Sequence, residues 1–183
     1  YDLSQLTVLV VDDSTYMTRL MCAVLRGLKV GRAVTAANSG EGWQRFVEVR
    51  PDIIISDWRM RPLSGPEFLR KVRRDPASPN RYVPFIFLTG FAEKKKIELA
   101  RDGGTHDFLA KPVTAKLIYE RIVHLIESPR PFIESDSFFG PDRRRRPRDL
   151  PPGASDRRGR AKRPAIEQLA TDQPTIDRKD DAP

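Results

Sequence analysis

The sequence predicts an α/β domain in which a parallel sheet is covered by helices on both faces, followed by a disordered C-terminal tail. Three observations carry this. Short apolar runs alternate with segments of helical period. Those runs are continuous rather than alternating, as in strands buried on both faces. Beyond about Glu127 the composition changes abruptly. Strict alternation of such strands with crossover helices gives a doubly wound sheet with right-handed connections.

The first strand is read over Leu6–Val11 (LTVLVV), and a helix follows from about Ser14, whose hydroxyl can cap it, to Leu28. Met17, Leu20, Met21, Val24 and Leu25 recur there at helical spacing. Arg32–Ala37 is a weak strand, followed by a helix over Ser39–Val49 with Trp43, Phe46 and Val47 on one face. Asp52–Ser56 (DIIIS) is a buried strand, and a loop leads to a helix near Pro66–Arg74. Val83–Thr89 (VPFIFLT) is the fourth strand, with a helix over about Glu93–Asp102. Thr105–Ala110 is the fifth, and Ala115–Glu127 a helix with Leu117, Ile118, Ile122, Leu125 and Ile126 apolar.

The 183 residues include 33 Lys and Arg against 25 Asp and Glu. Residues 1–127 hold 20 basic and 15 acidic residues, and residues 128–183 hold 13 and 10, so the net +8 divides into +5 and +3. Nine of the 16 prolines lie at or beyond Pro129. A proline-rich, charge-blocked and weakly apolar segment cannot bury enough surface to offset its ordering entropy. Two units are therefore expected: a domain over 1–127 and a disordered tail over 128–183. Cys22 is the only cysteine, which excludes an intrachain disulfide. No apolar run is long enough for membrane insertion and no signal-peptide pattern opens the sequence, so a cytoplasmic location is expected.

In doubly wound sheets, functional groups gather at the carboxyl ends of the strands. Asp12 and Asp13 follow the first strand, Asp57 the third, Thr89 the fourth and Lys111 the fifth, while the second offers nothing. Three converging carboxylates repel one another until a cation neutralises them. Hard oxygen donors in that number suit Mg²⁺, which takes one or two carboxylates plus phosphate oxygens and keeps several waters. With an ammonium and a hydroxyl beside them, these groups make a site for phosphoryl transfer to a carboxylate. No GxGxxG or GxxxxGK[ST] pattern points to a nucleotide enzyme instead.

The order of these residues resembles the response-regulator receiver domain, of the single-domain chemotaxis-regulator (CheY-like) kind, over about Leu3–Glu127. The resemblance rests on VVDDS with the acid pair, ISDWRM with Asp57, LTG with Thr89, FLAKP with Lys111 and Pro112, and on Gly65. It implies a flavodoxin-like five-stranded sheet of order 2-1-3-4-5. It also implies that Asp57 is the phosphoacceptor, charged by a histidine kinase. Mg²⁺ would lie on Asp12, Asp13, Asp57 and the backbone carbonyl of Arg59. Thr89 and Lys111 would bind phosphoryl oxygens, Phe108 would be the switch aromatic, and Lys111–Pro112 would be cis. The output would be a face of the fifth strand and the two helices that flank it, read by a protein partner such as the flagellar motor switch. The chain would then be a phosphorylation switch with slow self-catalysed dephosphorylation, not an enzyme with turnover on an outside substrate. A phosphate sink or phosphorelay shuttle is the alternative. The loop after Asp57 departs from the family, with Pro62 one place late in MRPL.

The tail repeats a unit, Asp142-Arg143-Arg144-Arg145-Arg146 and Asp156-Arg157-Arg158-Gly159-Arg160, fourteen residues apart, each preceded by a glycine. Phe132, Phe138 and Phe139 lie just upstream. A solvated linker and a nucleic-acid arm are two readings of such a block. A third comes from residue type. All basic residues from Arg143 to Arg160 are arginine, which stacks on bases and pairs bidentately with phosphate or guanine. The tail also resembles the arginine-rich extension of cyclic-di-GMP-responsive chemotaxis-like regulators, which makes cyclic-di-GMP a candidate ligand ahead of nucleic acid.

Overall fold

The computed structural model describes residues 1–90, 103–135 and 138–142. Its elements are β1 (Thr7–Val11), α1 (Thr15–Gly27), β2 (Arg32–Ala36), α2 (Ser39–Val49), β3 (Ile53–Asp57), α3 (Gly65–Arg74), β4 (Phe85–Thr89), β5 (Asp107–Ala110), α4 (Ala115–Glu127), β6 (Phe132–Glu134) and β7 (Phe139–Pro141). The helix expected over Glu93–Asp102 lies outside the described residues. The first five strands form one parallel sheet of order β2-β1-β3-β4-β5, as expected.

Alternate residues of each central strand feed opposite faces of the sheet. Val8 and Val10, Ile53 and Ile55, and Ile86 and Leu88 pack with Met21 and Leu25 of α1 and Ile118 and Ile122 of α4. Leu9 and Val11, Ile54, and Phe85 and Phe87 pack with Phe46 of α2 and Phe68 and Val72 of α3. This double burial explains why the strands read as unbroken apolar runs. β2 is the exception: it lies at the sheet edge with only Ala36 buried, which accounts for its weak signal.

Side-chain caps set the helix starts. Ser14 Oγ accepts from the Met17 amide at 3.3 Å, Asn38 Oδ1 from Glu41 at 2.9 Å and Thr114 Oγ1 from Leu117 at 3.2 Å. Ser64 and Glu67 form a capping box at α3, with the Ser64 amide donating to Glu67 Oε2 at 2.8 Å. β4 begins at Phe85 rather than Val83 because Pro84 has no amide and the Val83 carbonyl accepts from Arg73 Nη2. β5 begins at Asp107 rather than Thr105, whose hydroxyl is turned back onto the Phe85 carbonyl.

The expected boundary at 127 needs correction, because packed structure continues past it. β6 and β7 pair antiparallel as a hairpin, and its Phe132 and Phe139 are only 2% and 5% exposed. Averaged over residues 128–183, prolines and arginines conceal this local aromatic cluster. Phe132 and Phe139 surround Tyr82, with ring centroids at 5.1 and 5.4 Å. Arg81 stacks on Phe139 at 4.3 Å and pairs with Glu134 at 3.6 Å. Beneath Phe132 lies Arg73, fully buried, whose Nε, Nη1 and Nη2 donate to the carbonyls of Gly104, Arg81 and Val83 at 3.1, 2.8 and 2.8 Å.

His106 lies against Phe132, and its Nδ1 accepts the Phe85 amide at 3.2 Å. Burial, then the charges of Arg73 and Arg130, push its pKa well below the ordinary histidine value. The unfolded chain therefore binds a proton at this residue that the folded chain refuses. Stability is complete above the ordinary histidine pKa and falls as pH drops below about 6.5, by up to about 1.4 kcal/mol per pH unit from this group. Urea melts between pH 7 and 5.5 should show that slope in the native chain and a flatter one in His106→Gln.

Candidate functional site

Parallel registration brings four strand ends to one edge. Asp57 closes β3 opposite Leu88, and Thr89 closes β4 opposite Ala110, the residue before Lys111. Asp12 follows β1 and holds its place through its amide, which donates to the Ala36 carbonyl at 3.2 Å. The Lys111 amide likewise donates to the Thr89 carbonyl at 2.8 Å, and the Lys111–Pro112 peptide is cis. A second cis peptide, Arg61–Pro62, lies in the loop that departs from the family pattern.

The side chains meet around one ammonium. Lys111 Nζ lies 2.6 Å from Asp57 Oδ1 and 2.9 Å from Asp12 Oδ2. The second oxygen of each carboxylate accepts a backbone amide: Arg59 donates to Asp57 Oδ2 at 2.8 Å, and Ser14 to Asp12 Oδ1 at 2.9 Å. Asp12 and Asp57 are 2% and 9% exposed, so both charges are held at the floor of the site. Burial alone would lower the Lys111 pKa, but hydrogen bonds and charge from Asp57 and Asp12 outweigh it and raise it. The lysine is therefore a fixed cation across the physiological range.

Asp13, Asp57, Trp58, Arg59, Thr89, Gly90 and Lys111 line a cavity of about 330 Å³ above these groups. Asp13 stands exposed at its rim, adding a third carboxylate. Gly65 makes the floor possible. A Cβ there would sit 2.4 Å from the Asp57 carbonyl oxygen, so only glycine lets α3 start so close. Lys111 stands between Asp12 and Asp57, and no three acidic, histidine or cysteine side chains among the described residues form a metal-holding group by themselves. The donor set nonetheless fits Mg²⁺: hard oxygens in a polar, roomy cavity, few protein ligands, and space for water and phosphate.

Phe108 is half-buried and stacks on Phe87 with centroids 5.7 Å apart, while Trp58 lies 6.2 Å from it. Trp58 was not singled out from sequence, although it follows Asp57 directly. It walls the cavity beside Asp57 and also contacts Phe87 edge-on at 5.1 Å, so it joins the cavity to the aromatic cluster. Of the candidate nucleotide residues, Asp142 ends the hairpin, its amide donating to the Pro131 carbonyl at 2.8 Å, and it does not line the cavity. Arg143, Arg144, Arg145, Arg146, Asp156, Arg157, Arg158 and Arg160 lie outside the described residues.

Comparison with known proteins identifies this arrangement. Residues 8–123 match the family model of the response regulator receiver domain. Chemotaxis protein CheY1 of Helicobacter pylori is 29% identical over 115 residues, covering 62% of this chain and 91% of that protein. Chemotaxis protein CheY of Pseudomonas aeruginosa is 28% identical over 120 residues, covering 66% and 95%. The solved structure of Vibrio cholerae chemotaxis protein CheY4 is 26% identical with a TM-score of 0.60, covering 65% of this chain and 97% of that one. No helix among the described residues is long and apolar enough to cross a membrane. With a family match that runs from the first strand into the last helix of the domain, on the fold these relatives share, the chain belongs to the response regulator receiver domain family.

Proposed function

We propose that the chain is a two-component phosphorylation switch with Asp57 as its phosphoacceptor. The supporting observation is the triangle of Asp12, Lys111 and Asp57, set under a cavity that also takes in Thr89 and Asp13. A carboxylate oxygen of Asp57 attacks the phosphorus of a kinase phosphohistidine. A P–O bond forms as the P–N bond breaks, and the imidazole leaves with the electron pair. Lys111 stays near the oxygen that loses charge and is placed to hold a phosphoryl oxygen, while Thr89 Oγ1 offers a hydrogen bond to another. Asp13, Asp57 and the Arg59 carbonyl, with Asp12 alongside, would hold Mg²⁺, which would supply neutralisation of the phosphoryl charge. Phe108 then repacks, and the face around β5 and α4 presents the state to a protein partner. The chemotaxis relatives make the flagellar motor switch the first partner to test.

Acetyl phosphate, a small phosphodonor, replaces the kinase in the deciding experiment. With Mg²⁺, intact-mass spectrometry should show one added phosphoryl group in the native chain and none in Asp57→Asn or with chelator. An equal yield in Asp57→Asn would reject the assignment. A phosphoryl group lost within seconds, with no partner bound, would favour the phosphate-sink reading.

For the arm, the all-arginine repeat from Asp142 to Arg160 supports cyclic-di-GMP as ligand. Titration calorimetry should give binding that is lost when Arg143, Arg144, Arg145 and Arg146 are changed to alanine. Absence of heat, with steeply salt-dependent binding to random DNA, would favour the nucleic-acid arm instead.

A further inference from the structure

The C-terminal hairpin sits at the opposite end of β5 from Lys111, and it contacts both Arg81 and Tyr82 before β4 and the turn where β5 begins. Gly104 has φ +85°, and a Cβ on it would lie 2.4 Å from the Phe139 carbonyl oxygen. A Cβ on Gly140 would lie 2.5 Å from Gly104 Cα. The two backbones therefore touch with no side chain between them. Arg73 grips the same turn through its bond to the Gly104 carbonyl and lies 5.3 Å from the Phe132 ring. From that turn the chain runs directly through Phe108 to Lys111. A second route leads the same way: Phe139 lines a groove of about 290 Å³ along α3 whose other end is walled by Trp58, the neighbour of Asp57.

We propose that the β6–β7 hairpin is a strap whose seat on the Gly103–Gly104 turn is coupled to occupancy of the Asp57 site. This rests on the reading of Asp57 as phosphoacceptor. The direction follows from the structure. The strap is seated in an arrangement where Lys111 pairs directly with Asp57 and Phe108 stacks on Phe87. Phosphorylation replaces that ion pair with contacts to a phosphoryl group, so both ends of the short strand β5 are held in the arrangement without phosphate. An element that stabilises one state of a two-state switch is loosened by a ligand that favours the other, and the effect is reciprocal. Asp142, the last residue of the hairpin, donates its amide to the Pro131 carbonyl and is followed in sequence by the arginine repeat.

Amide hydrogen exchange of the full chain with acetyl phosphate and Mg²⁺ tests the coupling. Phosphorylation should raise exchange across 131–142 about fivefold or more. In reverse, Gly140→Val, which unseats the hairpin without touching the site, should raise the steady-state phosphorylated fraction at limiting acetyl phosphate. Phe139→Ala serves the same purpose if the valine variant does not fold. A merely structural hairpin would lower the melting temperature of these variants and leave phosphorylation at the native level, and that result overturns the strap. Unchanged or slower exchange in a chain shown by mass to be phosphorylated overturns it equally. A native chain that takes no phosphoryl group overturns the phosphoacceptor reading, and the strap with it.

Discussion

Lys111→Met is expected to slow phosphoryl transfer from acetyl phosphate about 100- to 1000-fold, the loss typical of removing one preorganised charge-stabilising donor. The ammonium is positioned before any substrate arrives. Its two carboxylate contacts fix it, and the raised pKa keeps it charged. Methionine retains an unbranched apolar stem, one atom shorter, but leaves Asp12 and Asp57 facing each other without a cation. The incoming phosphoryl group, itself anionic, would then meet uncompensated negative charge. Arginine is not an equal substitute, because its longer, planar guanidinium spreads over three nitrogens the charge that lysine places at one point between the two carboxylates. Rates from intact-mass time courses decide the matter, and a native rate in Lys111→Met would refute the role.

Arg73→Leu is expected to be the most destabilising single change in the domain, by about 3 kcal/mol or more. Burial pushes the Arg73 pKa down to about 9, which still leaves a cation at neutral pH and shows how unfavourable its environment is to charge. Three carbonyl acceptors and the stacked Phe132 ring offset that cost. Leucine fills part of the volume and leaves three buried carbonyls without donors. Lysine supplies charge without the fork and should recover only part of the loss. Urea denaturation reads the difference. A midpoint near that of the native chain would mean that water replaces the guanidinium at little cost.

The fold was legible because its central strands are buried on both sides, which leaves unbroken apolar runs such as IIIS and FIFL. The site was legible because its groups sit at the ends of those runs, where Asp12, Asp57, Thr89 and Lys111 needed only strand order to be brought together. Arg73 was not legible. Within KVRR it reads as one of several solvated cations closing a helix, and its partners are carbonyls, which carry no residue identity. The hairpin was missed for a related reason. Two three-residue strands give no periodic signal, and their phenylalanines matter only because Tyr82, His106 and Arg73 lie beneath them. Trp58 was not singled out, because a tryptophan after a strand carries no signal of its own, and only the cavity shows that it lies beside Asp57.

The buried guanidinium also orders events in time. Arg73 bonds to Gly104, 31 residues further on, and stacks on Phe132, which comes 59 residues after it (132 − 73). A chain emerging from the ribosome at about 5–20 residues per second must carry that cation without its lid for several seconds. The sheet can register through β1, β3 and β4 in the meantime, but the end of the domain that Arg73 occupies stays open until the hairpin is made. The surroundings of this cation are thus complete only once the β6–β7 pair has followed the helix that closes the sheet.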